Sequence, residues 1–259
     1  MFLFIELFLS LLKSKIEKKT FTFSELTFQF TYFDKMYKFI GFTIIAIFTS
    51  FAKSFMPQKT NIKYVPLGDS YTICTGATEL ESWPTNLTKH LNENGIKTEL
   101  LFNPSRNGFT SQNLIVIELP KFDKSDCNFA TILIGVNDWV REVSAKDFHK
   151  NLNYIIDHVS KKIDKKRILL ITIPDFGVTP QGKLYGGGRD ISKGISEFND
   201  IIKTEAKKRG ITVVDIFKIS QSMKDRTDLV ANDGLHPSAK EYAEWEKLIF
   251  PAVKSLLSQ

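Results

Sequence analysis

Cysteine is almost missing from this chain, with two in 259 residues. Two thiols cannot build a disulfide scaffold and are too few for a structural zinc cluster. Proline and glycine are modest, at nine and 14, which excludes a collagen-like or linker-dominated chain. Histidine is scarce too, at four. His90, His149 and His158 fall on predicted helices or their flanks, without Cys or His at ligand spacing. No metal site or other cofactor is expected. Blocks of one charge are also lacking. The 35 basic and 29 acidic residues are mixed, and basic runs stay as short as Lys161-Lys162 or Lys207-Lys208-Arg209. A nucleic-acid binder would concentrate its net charge of +6 on one face, so no nucleic-acid partner is expected.

A long apolar span is the last absence. Phe39 to Phe51 carries no charge but falls short of the about 20 residues that cross a membrane. Met36-Tyr37-Lys38 precedes it, and Ala52-Lys53-Ser54 follows. A short basic start, an apolar run and small residues describe a secretory signal peptide over residues 36–54. An uncleaved anchor or a core helix is the alternative. No Cys follows the run, so a lipoprotein anchor is not supported. Residues 1–35 read as a non-native or disordered extension, with translation expected to start at Met36. The remainder, 55–259, suits one domain, periplasmic or secreted and monomeric by default.

What is present is enough apolar sequence, 42%, to bury a sizeable core. Short apolar runs alternate with helical periodicity. Strands are predicted at Ile62 to Leu67, Thr98 to Phe102, Phe129 to Ile134, Arg167 to Ile173 and Ile211 to Val214. Helices are predicted at Pro84 to Asn94, near Ser82 and stopped by Gly95, and at Thr110 to Leu119, closed by Pro120. Phe148, Leu152, Ile155 and Val159 share one helical face. So do Ile191, Ile195, Phe198 and Ile202, with Gly210 as the stop. Ser238 and Glu241 form a capping-box pattern before a last helix. Buried strands alternating with amphipathic helices imply an α/β fold, a parallel sheet covered on both faces.

In such sheets the ligand site lies beyond the carboxyl ends of the strands. Five polar segments fall there: Gly68-Asp69-Ser70, Asn103 to Gly108, Gly135-Val136-Asn137-Asp138, Pro174-Asp175 and Asp233 to His236. Ser70 sits where a strand turns into a helix, and a serine needs a base before it attacks. His236 is the candidate base, since imidazole titrates near neutrality. Asp233, three residues earlier, is placed to fix its tautomer. The N–H groups of Ser70 and Gly108 and the side-chain amide of Asn137 are candidate donors to an oxyanion. Taken singly each segment is an ordinary turn. Together, in order at strand ends, they form a constellation.

That constellation resembles the SGNH (GDSL-type) hydrolase family. The residues that carry the resemblance are Gly68-Asp69-Ser70-Tyr71, Arg106-Asn107-Gly108, Gly135-Val136-Asn137-Asp138 and Asp233-Gly234-Leu235-His236-Pro237, across about residues 62 to 257. Tyr71 stands where the usual name has Leu, a position outside the chemistry. The resemblance implies a three-layer α/β/α fold with a flavodoxin-like, five-stranded parallel sheet. It implies Ser70 as nucleophile, His236 as base, Asp233 as its partner, and Ser70, Gly108 and Asn137 as the oxyanion hole. It implies a serine esterase acting on a small ester or an acylated glycan, in the manner of lysophospholipase-like or short-chain acyl esterases. A carbohydrate O-acetylesterase or a thioesterase of the same fold is the alternative, and a non-catalytic binding protein a further one.

Other features admit two readings. Phe109 and Trp139 line an acyl or sugar pocket or merely pack, and Asp175 is a further candidate for the lining. The stretch Pro174 to Arg189 gates substrate or is a surface excursion. Gly186-Gly187-Gly188 is no phosphate loop, because no Gly-Lys-Ser/Thr follows. Cys74 and Cys127 are expected near opposite ends of the sheet, which argues against pairing.

Overall fold

The computed structural model describes residues 61–258. The expected extension and signal peptide therefore lie outside the described residues. Five strands form one parallel sheet: β1 Ile62–Gly68, β2 Thr98–Leu100, β3 Phe129–Leu133, β4 Ile168–Ile171 and β5 Thr212–Val214. Their order is β2-β1-β3-β4-β5, the flavodoxin-like order. β1 is nearly all buried and β3 and β4 wholly so, as strands covered on both faces must be.

β2 is shorter than predicted, and Pro66 explains why. Pairing with β1 ends at Tyr64 opposite Leu100. The N–H of Ile62 points at this neighbour, donating to Lys97, so by alternation residue 66 should point there too. Pro66 has no N–H to give. β4 is also short, because the side chain of Asn199 takes over from a strand: it accepts from the N–H of Ile173 (2.7 Å) and donates to its carbonyl (2.9 Å).

The helices are α1 Ser70–Ile73, α2 Trp83–Glu93, α3 Ser111–Asn113, α4 Leu119–Lys124, α5 Val136–Val140, α6 Ala145–Ser160, α7 Ile191–Arg209, α8 Phe217–Ser220 and α9 Ala239–Leu257. The crossover through α2 runs from β1 out to β2, whereas those through α4, α6 and α7 run the other way. Right-handed crossovers therefore put α2 on one face and α4, α6 and α7 on the other. α9 packs on α2, and α6 packs on α7, which completes three layers. The predicted faces of α6 and α7 are buried, as are Tyr242 and Trp245 of α9. Each such side chain contributes about 1.5–3 kcal/mol of transfer free energy.

Two local expectations fail. Pro120 does not close its helix. A π-helical stretch, Leu114–Glu118, joins α3 to α4, and the N–H of Leu119 reaches back five residues to Leu114. The wider turn resets the ladder, so Pro120 falls in the first turn of α4, where its lost donor is unneeded. Ser238 and Glu241 form no capping box. The Ser238 hydroxyl donates to the Asp228 carbonyl, and Glu241 turns inward to accept from the Trp245 indole.

Candidate active site

β1 delivers its last residues to the edge of the sheet where the strand order reverses, between β1 and β3. A Cβ on Gly68 would lie 2.2 Å from both the Leu133 carbonyl and the Thr72 hydroxyl, so only glycine passes here. Asp69 caps α1 by accepting from the N–H of Tyr71 (2.9 Å). This opens α1 at Ser70, which is buried, at 5% exposure. The N–H of Gly68 faces the side on which β2 has ended, and Glu118 of the π-helical stretch accepts it (3.0 Å). A carboxylate thus replaces a strand at the root of the serine turn.

Two further loops close on this edge. After β2, Gly108 adopts φ +76°, a conformation costly for other residues. After β3, Gly135 adopts φ +127° and leads into α5. From α5, Asn137 donates one amide hydrogen to the Phe109 carbonyl (2.9 Å), and Arg141, which caps the end of α5, donates to the Gly108 carbonyl (2.9 Å). Asp138 is buried and accepts from the Ser111 N–H (2.8 Å) and hydroxyl, locking α3 to α5.

The fourth loop precedes α9. Its Asp233 carboxylate accepts from the N–H groups of Leu235 and His236 (2.9 Å each) through one oxygen. The other oxygen lies 2.6 Å from His236 Nδ1. Burial opposes the charge on Asp233, but the two N–H groups and the imidazole outweigh it and hold the carboxyl below its usual range. An ionised carboxylate only accepts, so Nδ1 is the donor in this contact, and in the neutral ring the lone pair then belongs to Nε2.

Ser70 and His236 line one cavity of about 320 Å³ with Gly108, Asn137 and Arg141. Tyr71, Val136, Val140, Phe176, Tyr185 and Leu235 supply apolar walls. Phe109, Trp139 and Asp175 are not among the lining residues. Trp139 is buried beneath the Arg189 guanidinium, 4.0 Å from its ring centre, and against Gly194. Asp175 is fully buried and holds a turn through Gly177 and Gln221. Phe109 is half-buried, and it is its carbonyl that meets the site. Tyr185 brings the Pro174 to Arg189 stretch to the cavity wall.

Buried acid groups lie under the serine turn. Burial pushes the Asp69 carboxyl up to about 8, against the pull of the Tyr71 N–H. Burial also raises Glu118 well above its ordinary range, with the Gly68 N–H opposing. Asp69 Oδ2 and Glu118 Oε1 have no hydrogen-bond partner among the described residues. The other three histidines pair with carboxylates elsewhere: His90 with Glu246, His149 with Glu205 and His158 with Asp123. Cys74 and Cys127 are both buried as free thiols. Among the described residues no group of three or more His, Cys, Asp or Glu is arranged to hold a metal. None of their helices is long and apolar enough to cross a membrane.

Known proteins agree with this architecture. A psychrotrophic esterase, EstA from Pseudoalteromonas sp., in a structure inhibited by monoethylphosphonate, superposes with a TM-score of 0.58 at 20% identity, covering 77% of this chain and 100% of its own. The lipase/acylhydrolase from Enterococcus faecalis gives 0.60 at 20% identity, covering 75% and 96%. Axe2, an acetylxylan esterase from Geobacillus stearothermophilus, gives 0.57 at 16%, covering 78% and 97%. At such identities the likeness is one of fold. No curated protein sequence matches the chain. Residues 67–243 match the GDSL-like lipase/acylhydrolase family, more than half of the chain and all four loops of the cavity. The chain is a member of that family and an ester-bond hydrolase.

Proposed function

We propose that the protein is a serine esterase that forms an acyl-enzyme on Ser70. The observation that carries the reading is the 2.6 Å contact of Asp233 with His236 Nδ1, which leaves Nε2 basic in the cavity that Ser70 lines. Ser70 Oγ attacks the ester carbonyl carbon, and its proton passes to His236 Nε2. The carbonyl oxygen becomes an oxyanion. The N–H groups of Ser70 and Gly108 and the second amide hydrogen of Asn137 face that charge. The intermediate collapses and expels the alcohol, which takes the proton from His236. Water then attacks the acyl-enzyme with His236 again as base, and the acid leaves.

The cavity of about 320 Å³ is at the small end for ligand sites, and its walls are mostly apolar. This favours short acyl groups over long ones. An acetyl group on a glycan satisfies the same size limit. We further propose that residues 36–54 direct export and that the enzyme acts outside the cytoplasm. N-terminal sequencing of the native protein tests this, and a terminus well before Lys53 contradicts it. Hydrolysis of p-nitrophenyl esters from acetate to palmitate tests the activity. Turnover that is greatest for short chains and lost in Ser70→Ala is the expected result. Equal turnover in Ser70→Ala contradicts the mechanism.

A further inference from the structure

Asn137 lies in α5 and Arg141 caps the end of that helix four positions on, where its N–H still bonds the Asn137 carbonyl (3.0 Å), so the two side chains leave the same side of the turn. Both reach into the same loop. Asn137 holds the Phe109 carbonyl, and Arg141 Nη2 holds the Gly108 carbonyl at 2.9 Å. On the other side, Asn107 is tied to the Thr75 hydroxyl. Gly108 is therefore a swivel between an anchored residue before it and an anchored carbonyl after it. It needs the anchors, because at φ +76° it has no Cβ to limit its rotation. The guanidinium packs directly against it: a Cβ on Gly108 would lie 3.3 Å from Arg141 Nη2.

We propose that Arg141 is a positioning residue for the oxyanion hole, holding the Gly108 carbonyl so that the Gly108 N–H stays aimed at the reacting carbonyl oxygen. The proposal rests on the acyl-enzyme reading. It adds a residue that touches neither the nucleophile nor the base. A guanidinium suits the task, since its bond to a carbonyl is charge-assisted and its planar fork fixes direction. A loop carbonyl held only by water would let the N–H swing.

The test is steady-state hydrolysis of p-nitrophenyl acetate by the full chain, comparing wild type with Arg141→Ala and Arg141→Lys. A misaimed donor slows the step in which charge develops and leaves ground-state binding alone. The expected result for Arg141→Ala is a kcat lower by about 10- to 100-fold with KM within about twofold, since misplacement by about 1 Å costs about that much. Arg141→Lys is expected between the two, and added guanidinium chloride at millimolar concentration restores part of the Arg141→Ala rate. The phosphonylation rate by a fluorophosphonate falls in parallel, because that reaction also loads the hole. A raised KM with kcat intact overturns the proposal and makes Arg141 a substrate contact. Unchanged kinetics in both variants also overturns it. If Arg141→Ala fails to fold, Arg141→Lys alone decides, through its kcat at unchanged KM. A folded wild type that neither turns over nor labels contradicts the serine-esterase reading instead.

Discussion

The Asp233 carboxylate both builds the turn it stands in and orients His236. One oxygen accepts the N–H groups of Leu235 and His236, and the other takes the imidazole Nδ1 at 2.6 Å. Backbone and ring are thus fixed by one side chain, which is why a spacing of three residues suffices.

Asp233→Asn separates the two tasks. The amide oxygen still accepts the turn N–H groups, but the amide nitrogen then faces Nδ1. That favours the tautomer with its proton on Nε2, which cannot accept from Ser70. The expected loss in kcat is about 10²- to 10⁴-fold, with a melting temperature close to wild type. Burial resists the charge of Asp233, yet its hydrogen bonds keep its pKa depressed. Its stabilising contribution is therefore present above the ordinary carboxylate range and is lost as pH falls through the lowered folded value. Acid titration of unfolding should show wild type losing more stability than Asp233→Asn.

Asn137→Ala removes the bond to the Phe109 carbonyl and, on the acyl-enzyme reading, one donor to the oxyanion. The expected fall in kcat is about 10²- to 10³-fold. Asn137→Asp leaves no hydrogen to donate and is expected to be at least as slow. The kinetics of the two variants beside Ser70→Ala check this. Full activity in Asn137→Ala would remove Asn137 from the mechanism.

Asp69→Asn changes the pH dependence of stability. The folded carboxyl titrates at about 8, whereas the unfolded one ionises near about 4. Between those values the native state holds the extra proton, so stability falls as pH rises through the window and levels off above it. Asn keeps an oxygen for the Tyr71 N–H and has no proton to lose. Urea midpoints from pH 5 to 8 are expected to fall less steeply in the variant. Glu118, raised in the same direction, keeps part of the slope in both. Parallel curves would contradict the account of Asp69.

Gly135→Ala tests the turn that leads into α5. A Cβ there would lie 2.7 and 2.8 Å from the Phe148 ring, at a backbone φ of +127°. Strain and overpacking each cost about 1–3 kcal/mol. The melting temperature is expected to fall by several degrees, with activity lost through displacement of Asn137. A wild-type melting curve would contradict this.

Much of this organisation was legible in the chain. The polar segments after each apolar run located the sheet edge, because a buried parallel sheet leaves its strand ends as the place for polar chemistry. Ser70, Gly108, Asn137, Asp233 and His236 all reach the cavity or its second row from those segments. Five features were not legible. Pro120 read as a stop because single-residue rules do not anticipate a π-helical turn upstream of it. Ser238 and Glu241 matched a cap pattern, but the Asp228 carbonyl in the preceding loop and the Trp245 indole one turn along the same helix took their hydrogen bonds. Trp139 admitted both a lining and a packing reading, because following Asp138 does not say which way it points. On a helix that offset turns it inward, beneath Arg189. Phe176 and Tyr185, which do line the cavity, come from a long excursion without periodicity. Glu118 carried no signal either, since its role depends on where β2 ends.

The most direct test of the central claim is covalent labelling of the folded chain with a fluorophosphonate, read by intact mass and peptide mapping. Only a serine activated by a neighbouring base reacts readily. The expected result is one adduct, on Ser70, absent in Ser70→Ala and much slower in His236→Ala. No adduct on a folded wild type, or an adduct on another residue with turnover surviving in Ser70→Ala, would contradict it.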